Sequence, residues 1–221
     1  SPLLLDNKLE TNVAIKFENV NFKYFGADKF MFEDLNLEIE RGKHTVITGL
    51  NGSGKSTLIG LMSGIYSATE GSVKTFSDNL GYVGPIPLII DSNIKENLIY
   101  GNQDEISDEK LFELIKLFDL FNGEDPNLEK KVSNKSLSSG QMQKISFIRV
   151  MLANVDILFL DESTANLDDR TRDQIFDILE NQKITIINST HDPNMFKNVD
   201  LNYNIVFKDE KRQIEEYRIS N

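Results

Sequence analysis

Hydrophobic positions along the chain recur with two periods, and the changes of period mark out the elements. Ile15, Phe17 and Val20 are set among Lys16, Glu18 and Asn19, and Leu35, Leu37 and Ile39 alternate with Asn36, Glu38 and Glu40. A period of two puts one row on a buried face and the other in water, so both stretches predict half-buried strands. Arg41-Gly42-Lys43 reads as a turn, and HTVIT (44–48) as a β-branched strand running into a glycine-rich segment. ILFL (157–160) and ITIIN (184–188) are apolar without alternation, the pattern of strands covered on both faces. Helix-sized stretches fall at about 55–64, 92–99, 108–120, 139–154, 170–182 and 192–198. NYNIVF and RQIEEYRI read as a hairpin turning at Asp209–Lys211.

Apolar strands alternating with helices predict an α/β fold with a mostly parallel sheet, and the early alternating strands predict a separate antiparallel one. Residues 86–154 show helix and loop without a strand pattern, which predicts a helical insertion in the α/β core. Residues 1–12 are patternless after their LLL and read as a linker, with residues 13–221 as one domain. The start at Ser1, without a basic lead or a long apolar run, is expected of a piece of a longer chain rather than of a secretory leader.

Composition narrows the chemistry. The absence of cysteine excludes a thiolate metal site, a disulfide framework and a cysteine nucleophile. Lys and Arg number 24 against 35 Asp and Glu, a net charge of −11, which argues against a nucleic-acid binder. It leaves room for a small anion held by backbone amides and one or two lysines. No apolar run approaches the ~18 residues that a membrane span needs.

GLNGSGKS (49–56) fits the phosphate-binding pattern G-x-x-x-x-G-K-[ST], after a predicted strand and before a predicted helix. Glycines let the backbone curl until successive N–H groups point at one phosphate, and the helix adds its positive end. Lys55 would reach the β- and γ-phosphates and Ser56 would ligate Mg²⁺. ILFLDE (157–162) is a buried strand ending in two carboxylates. Alternation would place them on different sides, Asp161 serving the metal and Glu162 facing the γ-phosphate to polarise a water. LSSGQ (137–141) precedes a helix whose Ile145, Ile148, Met151 and Leu152 share a face. Alone it is an N-cap or an anion-binding helix start.

In this order the motifs resemble those of the ATP-binding cassette (ABC) ATPases. GLNGSGKS looks like their Walker A loop, LSSGQ their signature, ILFLDE their Walker B strand and STANLD (163–168) their D-loop. His191 in NSTHD resembles their switch histidine, and Tyr24, 25 residues before Gly49, their adenine-stacking aromatic. The resemblance implies a P-loop NTPase with a RecA-like core, an antiparallel β subdomain and a helical subdomain. It implies ATP contacts from Tyr24, Gly49, Asn51, Gly52, Ser53, Gly54, Lys55, Ser56 and Thr57, and Mg²⁺ held through Ser56 and Asp161. Catalysis is then expected of Glu162, His191 and Lys55. Ser138, Ser139, Gly140 and Gln141 would act on the ATP of a second cassette in a head-to-tail dimer, with Asp168 at the dimer contact.

NIKENLIYG (93–101) and IKFENVNFKY resemble stretches of the exporter branch. That implies an ATPase at the cytoplasmic face of a membrane, powering transport through a membrane domain in the same or a partner chain. The alternative is a slow or degenerate nucleotide-gated module, because GYVGPIPLII carries Pro85 where the family has a glutamine. KKVSNKSLSSGQ also lacks the Gly-Glu that exporters carry before the signature, and Ser139 stands where a glycine is usual. His44 matches no motif and reads as structural.

Overall fold

In the computed structural model, which describes residues 12–102, 104–164, 167–192, 195–209 and 211–218, the first alternating stretch forms β1 (Val13–Phe22). Phe17 and Val20 are three residues apart yet both buried, because Asn19 adopts a left-handed φ of 48° where the register shifts. β2 (Phe32–Glu40) keeps strict alternation over its second half, and β3 (His44–Gly49) leads through the glycine loop into α1 (Lys55–Met62). β4 (Glu70–Thr75) and β5 (Leu80–Val83) follow, neither expected from the pattern. β6 (Ser92–Asn93), α2 (Ile94–Ile99), α3 (Asp108–Leu117), β7 (Lys131–Val132) and α4 (Ser139–Ala153) make up the middle of the chain. The chain ends with β8 (Ile157–Asp161), α5 (Asp169–Asn181), β9 (Thr185–Ser189), β10 (Leu201–Lys208) and β11 (Lys211–Arg218).

The core sheet has the order β11-β10-β3-β9-β8-β5, parallel except for the β10–β11 hairpin. A second, antiparallel sheet has the order β2-β1-β4. The α/β fold with its antiparallel companion is therefore as expected. The stretch expected to lack strands contains a two-residue ladder, β6 on β7, too short to impose a period on the sequence. Of the predicted linker only Asn12 is described, and Pro193 and Asn194 of the helix expected at 192–198 lie outside the described residues.

Alternation along the parallel strands feeds two cores. Ile47, Ile157, Phe159 and Ile187 face α1 and the antiparallel sheet. Val46, Leu158, Leu160 and Ile186 face α4, α5 and the helical segment. With both faces covered, the carboxyl ends of β3, β8 and β9 are left together at one edge, the usual place for a ligand in such sheets.

Candidate functional site

Asn93, Ser107, Ser138 and Asp168 cap α2, α3, α4 and α5 with side-chain oxygens, whereas α1 begins at Gly54 without any side-chain cap. Its first amides thus remain as donors. Gly49, Gly52 and Gly54 have φ of 145°, 75° and 114°, outside the range that other residues favour. A Cβ on Gly49 would stand 2.6 Å from Ser53 Oγ and 2.8 Å from the Ile205 carbonyl oxygen. The Ser53 hydroxyl is buried with no hydrogen-bond partner among the described residues. A curled, donor-lined cradle of this kind fits a phosphate chain.

The buried Lys55 ammonium donates to the carbonyls of Gly49 and Leu50 (3.2 and 3.4 Å) and lies 3.8 Å from Glu162 Oε1. His191 Nε2 lies 3.1 Å from the same oxygen. Lys55, Glu162 and His191, far apart in sequence, are thereby brought to one point. Asp161 and Glu162 do diverge, but not by the pleat of a strand. β8 ends at Asp161, and Glu162 turns away with a left-handed φ of 51°, a strained conformation for a glutamate.

Asp161 is buried and accepts three hydroxyl hydrogen bonds. Ser56 and Ser189 donate to Oδ1 (3.0 and 2.7 Å), and Tyr82 donates to Oδ2 (3.1 Å). The Ser189 hydroxyl also accepts from the Glu162 amide at 3.0 Å, tying the two carboxylate residues to β9. Burial, with the Asp161 charge adding to it, pushes the Tyr82 phenol up to about 12, so it remains a donor. No group of three or more His, Cys, Asp or Glu side chains suited to a metal occurs among the described residues. One hydroxyl and one carboxylate, Ser56 and Asp161, is a sparse oxygen set of the kind that suits Mg²⁺, which keeps waters and phosphate oxygens as ligands.

Tyr24 follows β1 with its ring half-exposed and edge-on to Phe22 and Tyr66 (centroids 5.1 and 5.6 Å). Its hydroxyl is 2.7 Å from Thr57 Oγ1, so the Thr57 side chain is engaged with Tyr24. The LSSGQ residues stand apart. Ser138 and Gln141 form a reciprocal capping box on α4, and Gln141 Nε2 donates to the Leu120 carbonyl at 3.2 Å. Among the described residues no hydrogen bond or ion pair joins Ser138, Ser139, Gly140 or Gln141 to residues 49–56. Asp168 accepts from the amide and hydroxyl of Thr171 (2.9 and 2.8 Å), and these bonds, the amide's first, hold its carboxyl below the usual range.

Sequence reasoning missed Tyr82 and Ser189. Ser189 is signalled only by a hydroxyl at the end of an apolar strand, and Tyr82 only once β5 is known to pair with β8. Pro85 follows β5 by two residues, and its carbonyl accepts from the buried Gln143 Nε2 at 3.4 Å.

The family model described as "ABC transporter" matches residues 32–165, more than half of the chain. ABC transporter B family member 17 of Arabidopsis thaliana is 33% identical over 210 residues, 85% of this chain and 17% of that protein. The ATP-dependent permease MDL1 of Candida albicans is 31% identical over 215 residues, 86% of this chain and 31% of that protein. The chain thus spans a third or less of the length of these relatives. The solved structure of a bacterial Atm1-family ABC exporter with ATP bound matches 98% of this chain and 40% of its own, with a TM-score of 0.80 at 24% identity. That likeness establishes the fold.

Proposed function

Since the chain belongs to the ABC transporter family, whose domain of this type binds ATP, we propose that it hydrolyses MgATP to power an exporter. The observation that carries the reading is the meeting of Lys55 Nζ and His191 Nε2 at one oxygen of Glu162, beside the uncapped start of α1.

In this reading the amides of residues 49–56 and the Lys55 ammonium hold the triphosphate. Phosphoryl transfer needs positioning and charge stabilisation more than covalent chemistry from the protein. Glu162 orients a water for in-line attack at the γ-phosphorus and accepts its proton. His191 steadies Glu162 through Nε2 and stands ready to donate to the γ-phosphate. Lys55 leaves the Gly49 and Leu50 carbonyls for the phosphate oxygens. Ser56 and Asp161 would hold Mg²⁺, which when bound neutralises charge on the phosphate oxygens. Ser189 and Tyr82 keep the Asp161 carboxylate aimed at Ser56. The Tyr24 ring stacks on adenine.

Lacking any local link to this site, Ser138–Gln141 serve a second cassette, packed head-to-tail with this one across the nucleotide. A cleft of about 410 Å³ beside β5 is lined by Tyr82, Ile86, Leu88, Tyr100 and Arg149, with Ile86 and Leu88 largely exposed. Exposed apolar side chains around one cation suit contact with a membrane domain, and in this reading the chain works at the cytoplasmic face of a membrane. No helix among the described residues is long and apolar enough to cross one.

The test is phosphate release. The protein should hydrolyse ATP, and Glu162→Gln and His191→Ala should each bind ATP normally while losing most of the rate, about 10²-fold or more. Background release by the unsubstituted protein, with normal ATP binding, would replace this reading with that of a nucleotide-gated module.

A further inference from the structure

A loop whose amide N–H groups turn inward to meet an anion turns the carbonyls of the same peptides outward, since the N–H and C=O of a trans peptide point in opposite directions within its plane. Those carbonyls need donors of their own, or the loop pays to leave them bare. Here the Ser53 amide donates to the Leu50 carbonyl at 3.0 Å, and the remaining donors come from two cations. Lys55 covers the Gly49 and Leu50 carbonyls from within. From outside, Arg212 on β11 donates Nε–H to the Ser53 carbonyl at 2.7 Å and Nη2–H to the Gly52 carbonyl at 3.4 Å.

The clasp is built rather than incidental. Arg212 is opposite Phe207 in the β10–β11 ladder, and its guanidinium lies over that ring at 5.5 Å. Lys211 next to it pairs with Glu33 of β2 at 2.7 Å, fixing the hairpin to the antiparallel sheet. β10 itself reaches the root of the loop, where Ile205 is in register with Gly49. One hairpin therefore backs the loop at its first glycine and grips it again at Gly52 and Ser53. A planar guanidinium presents its donors in a fixed fork that suits two neighbouring carbonyls, whereas an ammonium on a flexible stem is less preset for the pair.

We propose that Arg212 is a positioning residue for nucleotide binding, its guanidinium holding the Gly52 and Ser53 carbonyls outward so that the loop amides stay turned toward the triphosphate. This rests on the ATP-binding reading of residues 49–56. The loop is preorganised by a strand about 160 residues downstream in sequence, and nucleotide binding does not have to order it.

The experiment compares the unsubstituted protein with Arg212→Ala, Arg212→Lys and Phe207→Ala in MgATP and MgADP titrations, steady-state hydrolysis and nucleotide-free thermal unfolding. Arg212→Ala should weaken both nucleotides and raise KM about tenfold, with kcat at saturation nearly unchanged, because bound nucleotide reorders the loop. Arg212→Lys should recover part of the affinity and Phe207→Ala should lose a smaller part. Nucleotide-free unfolding should shift little. Parent-like affinity in Arg212→Ala overturns the proposal while leaving the ATP reading intact. So does a loss that Arg212→Lys fails to recover, or one that appears in kcat as fully as in KM. Absence of ATP binding by the unsubstituted protein overturns both.

Discussion

Replacing His44 with leucine should remove a specific source of acid lability. His44 opens β3, only 4% exposed, stacked on Phe176 at 5.1 Å and edge-on to Phe196 at 5.6 Å. Neither ring nitrogen has a hydrogen-bond partner among the described residues. Burial lowers its pKa from 6.5 to about 4, against weaker opposition from the Asn198 backbone and the Asp200 carboxylate. That carboxylate is itself held by the His44 amide (2.8 Å) and Lys43 (2.9 Å). Below pH 6.5 the unfolded chain binds a proton that the folded chain refuses until about pH 4, so stability present above that window is lost as pH falls through it. The difference amounts to about 3 kcal/mol in full, of which about 2 kcal/mol is gone by pH 5. Urea unfolding at about pH 7.5 and about pH 5 measures it, provided that the slope with denaturant is unchanged. Carboxylates titrate alike in both proteins, so the unsubstituted protein should lose about 2 kcal/mol more than His44→Leu over that interval. An equal loss in the two would mean that the ring is hydrated or hydrogen-bonded in solution, and would refute the argument.

Two further outcomes follow from the site. Tyr24→Ala should weaken ATP binding about tenfold, whereas Tyr24→Phe, which loses only the Thr57 contact, should stay within about threefold in a nucleotide titration. Parent-like binding by Tyr24→Ala would remove the stacking role. Glu162→Gln should accumulate an ATP-dependent dimer, because neither hydrolysis nor charge on residue 162 then opposes the closed pair. Light scattering that finds no ATP-dependent mass change at high concentration would count against head-to-tail association.

What the sequence discloses depends on how local the chemistry is. The glycine loop is legible because its conformational demand sits at Gly49, Gly52 and Gly54 themselves, and ILFLDE is legible because burial on both faces writes a continuous apolar run. Tyr82 and Ser189 were hidden because their meaning comes from the neighbours β5 and β9 take across the sheet. β4 was hidden for a related reason. Its EGSVKT sequence is mostly polar, and the strand exists by pairing with β1. The divergence of Asp161 and Glu162 was expected from a pleat, but a left-handed turn produces it. Arg212 gave no signal at all, since nothing in RQIEEYRI points to a loop at the other end of the chain.

The core sheet does not close, so it has two margins, and a bare margin is a template on which another chain can add a strand. β11 forms one of them and carries Lys211, Arg212, Glu215, Glu216 and Arg218 within eight residues; β5 forms the other and is only four residues long. Charge discourages stacking at the first margin and brevity at the second, as in natural sheets that resist fibre growth. Under the proposed function, the pairing of two copies is therefore left to loops and helix ends, with no strand added at either margin.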